Sequence, residues 1–143
     1  MIKVKLLTST AKVPTKGSQY AAGLDLYADI QEELTIQPHT TEMIGTGIAV
    51  ALPSGTFGGI YSRSGLGAKK GIRVAQGVGV IDEDYRGEVK VPLYNDSDIP
   101  YTIQPHDRIA QLICQKYMYN FIEVVDELDE TERSDGGFNS SGR

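Results

Sequence analysis

The sequence predicts an all-β domain with the architecture of a β-sandwich, a barrel or a jelly roll. Short runs rich in Val, Ile, Tyr and Thr recur along the chain, and turn-forming segments such as Pro-Ser-Gly and Asn-Asp-Ser-Asp separate them. Regular short strands with turns between them are typical of these three architectures. Helical periodicity is scarce, which agrees with an all-β assignment.

Ten segments are predicted to form strands: 2–7, 24–30, 34–37, 43–52, 57–62, 72–76, 79–81, 88–94, 99–103 and 109–118. The last segment is ambiguous, because Ile109, Leu112 and Ile113 also fit a helical stripe. Since this run is short and lies among strands, a strand is the favoured interpretation. The best place for a helical turn is 63–70, although its glycines weaken a helix.

The C-terminal end has a different composition from the rest of the chain. From Asp126 onward it is polar and charged, with Leu128 its aliphatic residue and Phe138 its aromatic one. Such a segment cannot bury enough apolar surface to form a core. The sequence therefore predicts a β core over 1–126 and a flexible C-terminal arm over 127–143.

Length and charge limit the classes of function. A chain of 143 residues fits one domain. The formal net charge of −5 argues against broad binding to nucleic acid, which relies on a basic surface. No apolar run approaches the about 18 residues of a spanning helix, and the N-terminus does not resemble a secretory signal. We therefore expect no nucleic-acid partner, no membrane association and a cytoplasmic location.

Cysteine and histidine usage excludes two further kinds of site. Cys114 is the single cysteine, so an internal disulfide and a multi-cysteine zinc site are both ruled out. The two histidines, His39 and His106, lie far apart and show no metal-ligand spacing.

Two segments carry polar residues that strands and turns do not require. In AAGLDLYA at 21–28, Asp25 interrupts a strand-like run, and an outward-facing strand position is the simpler explanation. In YSRSGLGAKKG at 61–71, Arg63, Ser64 and Gly65 could present a guanidinium, a hydroxyl and backbone N–H groups to phosphate oxygens. A basic surface loop is the alternative for this second segment.

A third segment, GVIDEDYRGE at 79–88, concentrates charge. Its Asp82 and Asp84 lie two residues apart, a spacing that puts both carboxylates on one face of a strand. The alternative is a hairpin tip that carries solvated charges.

Taken together, the segments AAGLDLYA, RSGL, GVIDEDYRGE, DRIAQLI and RSDGGFNSSG resemble the five ordered motifs of the trimeric dUTP pyrophosphatase (dUTPase) family. The resemblance runs from about residue 21 to the last residue. It implies a jelly-roll homotrimer with three active sites at subunit contacts. It also implies hydrolysis of dUTP to dUMP and pyrophosphate, with Mg²⁺ and by water attack at the α-phosphorus. This activity keeps uracil out of DNA and supplies dUMP for thymidylate synthesis.

The resemblance implies a role for each matching residue. Asp82 matches the catalytic aspartate that activates the water, and Asp25 matches the aspartate that holds hydrated Mg²⁺ through water. Tyr85 matches the residue whose ring lies against the deoxyribose and excludes a 2′-OH. The matching phosphate contacts are Arg63, Ser64, Gly65 and Gln111.

The resemblance also extends to the base pocket and the arm. The hairpin 75–81 matches the uracil pocket, where Gly79 lets the backbone approach the base. Gln76 stands where many bacterial members of the family have an Asn that touches the base, and other members have an apolar residue there. In the arm, Arg133 would reach the γ-phosphate, Phe138 would stack on the uracil, and Ser140 and Ser141 would donate to phosphate.

Three other functions compete with this interpretation. A dCTP deaminase shares the fold but lacks the I-D-x-D-Y-R-G form, so the intact GVIDEDYRGE favours a dUTPase. A phage-type family member that captures a repressor protein is left open, because enzyme and binder roles can coexist. A structural β module without a ligand is disfavoured by the five ordered motifs.

Overall fold

The computed structural model describes residues 1–135, and within them all ten predicted strand segments form strands. These residues form β1 (Lys3–Leu6), β2 (Thr15–Lys16), β3 (Leu24–Tyr27), β4 (Leu34–Ile36), β5 (Thr41–Ala51), β6 (Thr56–Tyr61), β7 (Ile72–Val74), β8 (Val78–Ile81), β9 (Glu88–Asn95), β10 (Tyr101–Ile103) and β11 (Arg108–Lys116). The additional strand, β2, has only two residues. A strand this short has no periodicity for a sequence pattern to reveal.

The predicted helical turn is confirmed as α1 (Ser64–Lys70), between β6 and β7. The helix ends at Lys70, and the next residue, Gly71, has a φ of 69°, in the left-handed region that glycine adopts at low cost. Its N–H donates to the carbonyl oxygens of Leu66 and Gly67, which satisfies two otherwise unpaired groups. The helix therefore stops abruptly and returns the chain to the sheet at Ile72.

The strands form two main antiparallel sheets and one small one. The four-stranded sheet has the order β1-β5-β9-β7, the five-stranded sheet has the order β2-β3-β11-β6-β8, and β10 pairs with β4. The two main sheets share one apolar core, with Ile44 and Val91 from the first and Ile60 and Leu112 from the second. This arrangement confirms the predicted jelly-roll-like all-β fold.

The ambiguous segment at 108–118 is a strand, as predicted. β11 lies at the centre of the five-stranded sheet and pairs with β3 on one side and β6 on the other. Its pairing with β3 shifts register between Arg108 and Ala110. This irregularity breaks the strict alternation of a strand, so that Ile109 and Ala110 are both buried. The broken alternation accounts for the helix-like spacing of apolar residues in the sequence.

Regular structure ends before the predicted boundary between core and arm. No helix or strand occurs in residues 117–135, although the strongly polar composition starts only at Asp126. Phe121, Ile122 and Val124 are more than 90 % exposed, at 98 %, 93 % and 94 %. The core of this chain therefore does not cover the apolar residues that precede the boundary, and the division at 126 stays a prediction.

Within residues 1–135, no helix is long and apolar enough to cross a membrane. The helix α1 has only seven residues.

Candidate active site

Asp25 lies between two arginines on the five-stranded sheet. It is only 9 % exposed, and Arg63 donates from Nε to Oδ1 at 2.9 Å while Arg108 donates from Nη1 to Oδ2 at 3.1 Å. Arg63 also donates from Nη1 to the backbone oxygen of Arg108 at 3.1 Å. This cluster carries two positive charges and one negative charge. The strand neighbours Leu24 and Leu26 pack on the core, so Asp25 does lie on the outward face, as the simpler interpretation has it, and the two arginines cover it there.

Hydrogen bonds hold the loop that presents Arg63. Gln111 donates from Nε2 to the backbone oxygen of Ser62 at 3.0 Å, and Ser62 Oγ accepts the N–H of Val74 at 2.8 Å. A side chain at Gly23 would collide with the Gln111 amide, so the glycine leaves the room that this amide occupies. The loop before α1 is thereby attached to β11 and to β7, and it presents Ser64 and Gly65 exposed at the start of the helix.

Arg108 was not singled out by the sequence, although it lies in the segment DRIAQLI that carries Gln111. Residues three apart on a regular strand point to opposite faces. The register shift between Arg108 and Ala110 changes this relation, and Arg108 contacts Asp25 while Gln111 is paired directly opposite it. A strand irregularity is not visible in the sequence, so the spacing alone gave no reason to group Arg108 with Gln111.

A second group of predicted residues lies at the end of β8. Asp82 and Tyr85 line a cavity of about 280 Å³. Gln76, Val80 of β8 and residues of β5 and β9 complete its lining. Tyr85 is held in place because its hydroxyl donates to the backbone oxygen of Glu88 at 3.0 Å. The Gln76 amide lies beside Gly79, which also belongs to this hairpin. The structure thus groups the predicted catalytic aspartate with the predicted sugar and base contacts.

The two groups are well separated within one chain. Asp25, Gln111, Tyr61 and Val78 are directly paired in one row across four strands. Ile81, next to Asp82, lies three residues further along β8, which places its backbone about 14 Å from that of Gln111 at ordinary strand spacings. Residues Asp82 and Gln111 therefore stand at different places on the same sheet.

The face between the groups is largely apolar and open. Gly59 is paired with both Ile113 and Val80, so these side chains project from the same face of the sheet. Val78 and Val80 are 39 % and 61 % exposed. Phe57, two residues from Gly59 on β6, belongs to the same face and is half-buried.

The residues present fit a hydrated metal ion better than a directly ligated one. In the part of the chain that the structure describes, no cluster of three His, Cys, Asp or Glu side chains could hold a metal. Each oxygen of Asp25 accepts one arginine hydrogen bond and keeps further acceptor capacity. A carboxylate in this state can accept a hydrogen bond from metal-bound water, which is how Mg²⁺ is often held.

The predicted residues of the arm are placed only in part. Arg133 lies in the segment that follows β11. Phe138, Ser140 and Ser141 lie outside the described residues, so their predicted contacts are untested.

The fold and the two groups define a jelly-roll-like β protein with a cluster of Asp25, Arg63 and Arg108 and a separate hairpin cavity beside the exposed Asp82. The sequence matches the dUTPase family profile over residues 9–142, and the chain belongs to that family.

Individual relatives support the same assignment. A deoxyuridine 5′-triphosphate nucleotidohydrolase of Candida albicans is 47% identical over 144 residues, which cover 99% of this chain and 88% of the relative. The mitochondrial human protein of that name is 49% identical, over 96% of this chain and 53% of its own length. Among solved structures, the dUTPase of Staphylococcus bacteriophage 80alpha, a G164S mutant with dUpNHpp, has a TM-score of 0.90 at 27% identity, covering 100% of this chain and 99% of the other.

Proposed function

We propose that this enzyme hydrolyses dUTP to dUMP and pyrophosphate in sites that each combine the two groups from different subunits of a homotrimer. Membership of the dUTPase family supports the reaction. The separation of Asp82 from Gln111 within one chain is the observation that supports shared sites. In such a site, Asp82 of one subunit faces Arg63, Ser64 and Gln111 of the next. The reaction keeps uracil out of DNA and supplies dUMP for thymidylate synthesis.

The apolar face of the five-stranded sheet supports assembly. Val78 and Val80 project from it exposed, and Phe57 and Ile113 on the same face are half-buried. An exposed apolar face of this kind marks a contact surface. A second subunit that packs here would bury these side chains and bring its own arginines toward the first subunit's Asp82.

In the proposed mechanism, Asp82 orients the attacking water and accepts its proton. Asp82 is exposed at the end of β8, so a water molecule and the sugar 3′-OH have access to its carboxylate. The water oxygen attacks the α-phosphorus in line with the bridging oxygen, and that bond breaks as pyrophosphate leaves. General-base catalysis of this kind contributes about 10²–10⁴ to the rate.

The arginine group binds the triphosphate. Of the five N–H groups of the Arg63 guanidinium, two donate to Asp25 and to the Arg108 backbone, which leaves three for phosphate oxygens. The Ser64 hydroxyl and the Gly65 backbone contact the phosphates where charge grows as pyrophosphate leaves. Mg²⁺, when bound, neutralises phosphate charge, and Asp25 would hold it through a coordinated water.

The hairpin cavity selects the nucleoside. Backbone groups of 75–81 pair with the uracil edge, with Gly79 allowing close approach. Residues 127–143 form an arm that closes over the nucleotide, with Arg133 on the γ-phosphate, Phe138 on the base, and Ser140 and Ser141 on the phosphates. Stacking of one aromatic ring on one base contributes about 1–3 kcal/mol. We place the enzyme in the cytoplasm, which agrees with its single cysteine, Cys114.

A nucleotide panel in ¹⁸O-water tests the reaction. Of dUTP, dCTP, dTTP and UTP, only dUTP should release pyrophosphate efficiently, and chelation of divalent metal should nearly stop the release. Mass spectrometry should find the label in dUMP, because attack is at the α-phosphorus. Label in pyrophosphate would overturn the mechanism, and release of ammonia from dCTP would indicate a deaminase.

Replacing Tyr85 with Ala should lower kcat/KM for dUTP and reduce the preference for dUTP over UTP by about tenfold or more. The ring is fixed by the hydrogen bond of its hydroxyl to Glu88, so it forms a rigid wall against a ribose 2′-OH. Tyr85→Phe is the matched control, because it keeps the wall and loses only the tether. Steady-state kinetics give kcat/KM for dUTP and for UTP. If the ring does not exclude the 2′-OH, the ratio of these two values should be the same in Tyr85→Ala as in the wild type.

A further inference from the structure

Glu83 differs from the two aspartates on either side of it, because its carboxylate is bound to other parts of the chain. Its Oε2 accepts the backbone N–H of Gly55 at 2.7 Å and the hydroxyl of Tyr119 at 3.1 Å. Asp82 and Asp84 are exposed, whereas Glu83 is half-buried. Glu83 and Asp84 lie in the turn between β8 and β9, and the Glu83 carboxylate reaches the turn that contains Gly55.

These hydrogen bonds join three segments that are distant in sequence. Gly55 belongs to the turn between β5 and β6, Glu83 to the loop between β8 and β9, and Tyr119 to the residues that follow β11. The Tyr119 ring also packs against Tyr117, with ring centroids 4.9 Å apart. The start of the C-terminal segment is thereby attached to the loop that carries Asp82.

The acceptor at Glu83 is charged at neutral pH. The Gly55 N–H and then the Ser54 hydroxyl hold the pKa of the Glu83 carboxyl below its usual value. Hydrogen bonds to an ionised acceptor are stronger than those between neutral groups. On the other side of the contact, Tyr117 and Glu83 raise the pKa of the Tyr119 hydroxyl, so it remains a donor.

The loop that Glu83 attaches is closed by hydrogen bonds within the loop itself. The backbone N–H of Tyr85 donates to the backbone oxygen of Asp82 at 3.1 Å. Arg86 Nη1 donates to the backbone oxygens of Glu83 and Tyr85 at 2.7 and 2.9 Å. A loop with these internal bonds moves as a unit. An anchor at Glu83 therefore restrains the loop that carries Asp82.

Asp82 also lies on the boundary between two cavities. It lines the hairpin cavity described above and a second one of about 580 Å³, whose walls include Phe57, Glu83 and Tyr119. A rotation of the loop would turn Asp82 from the first cavity toward the second. This rotation would break the hydrogen bonds of Glu83 to Gly55 and Tyr119, so these bonds oppose it.

We propose that Glu83 is a positioning residue, whose carboxylate fixes the loop that carries Asp82 and, through Tyr119, the direction in which the C-terminal segment leaves the sheet. The proposal rests on the role of Asp82 given above. It assigns Glu83 no contact with the nucleotide. Loss of the carboxylate should therefore lower kcat through misplacement of Asp82, and loss of Tyr119 alone should act on nucleotide binding through the arm.

The test compares Glu83→Ala and Glu83→Met with Glu83→Gln, whose amide oxygen can still accept the Gly55 N–H. Ala and Met should lower kcat for dUTP about tenfold with KM changed less than twofold, and Gln should recover most of the loss. Tyr119→Phe should raise KM about fivefold, the factor that one hydrogen bond supplies, with a smaller effect on kcat. Glu32→Ala, which removes an exposed charge elsewhere, is the matched control.

Amide exchange at Gly55 shows whether the hydrogen bond has been lost. Faster exchange in Glu83→Ala and Glu83→Met, together with wild-type kcat, would overturn the proposal. So would an equal loss of kcat in all three Glu83 variants, because the acceptor would then not be the cause. Use of Met, which keeps the length of the side chain, guards against a general loss of folding. If Asp82→Asn also keeps wild-type kcat, the role of Asp82 is what fails.

Discussion

Asp82→Asn should lower kcat for dUTP by about 10²–10⁴, the range that a general base contributes, and should leave nucleotide binding close to wild type. The amide has nearly the same shape as the carboxylate, so the site geometry is kept, but it cannot accept the proton of the attacking water. Single-turnover kinetics measure the chemical step, and titration with a non-hydrolysable dUTP analogue measures binding.

The control for this variant is Asp98→Asn, which removes the same charge from an exposed loop where the carboxylate contacts His39 at 3.0 Å. It should turn over dUTP at the wild-type rate. A kcat within threefold of wild type for Asp82→Asn would show that another group activates the water.

Mixed trimers of Asp82→Asn and Arg63→Ala chains should recover about one third of wild-type activity, although each variant alone should be nearly inactive. In a ring of three subunits with head-to-tail contacts, two kinds of chain meet in the productive order once, whichever kind is in excess. That single site takes intact Asp82 from one subunit and intact Arg63 from the next. The other two sites each lack at least one of the groups.

Coexpression with two different affinity tags, followed by purification on both, gives trimers that contain both chains. Activity per trimer is then compared with that of the two variant homotrimers mixed after purification, which should stay inactive. Light scattering should give about three times the 15.6 kDa of one chain. Background activity in verified mixed trimers, or a fully active monomer, would show that each chain holds a complete site.

Much of the fold could be predicted from the sequence, because strands and turns have local signals. Runs such as that at 88–94 combine β-branched residues with flanking turns, and they form strands at the expected places. The two-residue strand β2 could not be predicted, since it depends on its partner β3 rather than on its own composition. The end of regular structure at Lys116 also depends on tertiary contacts, because no layer within residues 1–135 covers Phe121 and Ile122.

The candidate site was predictable as a set of residues but not as an arrangement. Ordered motifs identify Asp25, Gln111 and Asp82, yet sequence order contains no distances. Asp25 and Gln111 are paired in one row with Tyr61 and Val78, and Asp82 lies beyond the other end of β8. Strand pairing reveals this separation, and the sequence does not contain it. Arg108 was missed for the same reason, since a register shift, and not a motif, brings it to Asp25.

The position of β8 at the end of the five-stranded sheet determines which substitutions should change selectivity for the base. Among the described residues, β6 is the strand that pairs with β8, so the other side of β8 presents main-chain donors and acceptors. In the proposed site, the pyrimidine takes the place of a further strand. The groups that recognise the base are then those of the peptide backbone, which are present whatever the side chain. In the proposed trimer, substitutions at Val78 or Val80 should change packing between subunits and leave the backbone contacts to the base unchanged. Changes that bend or break β8 should alter those contacts.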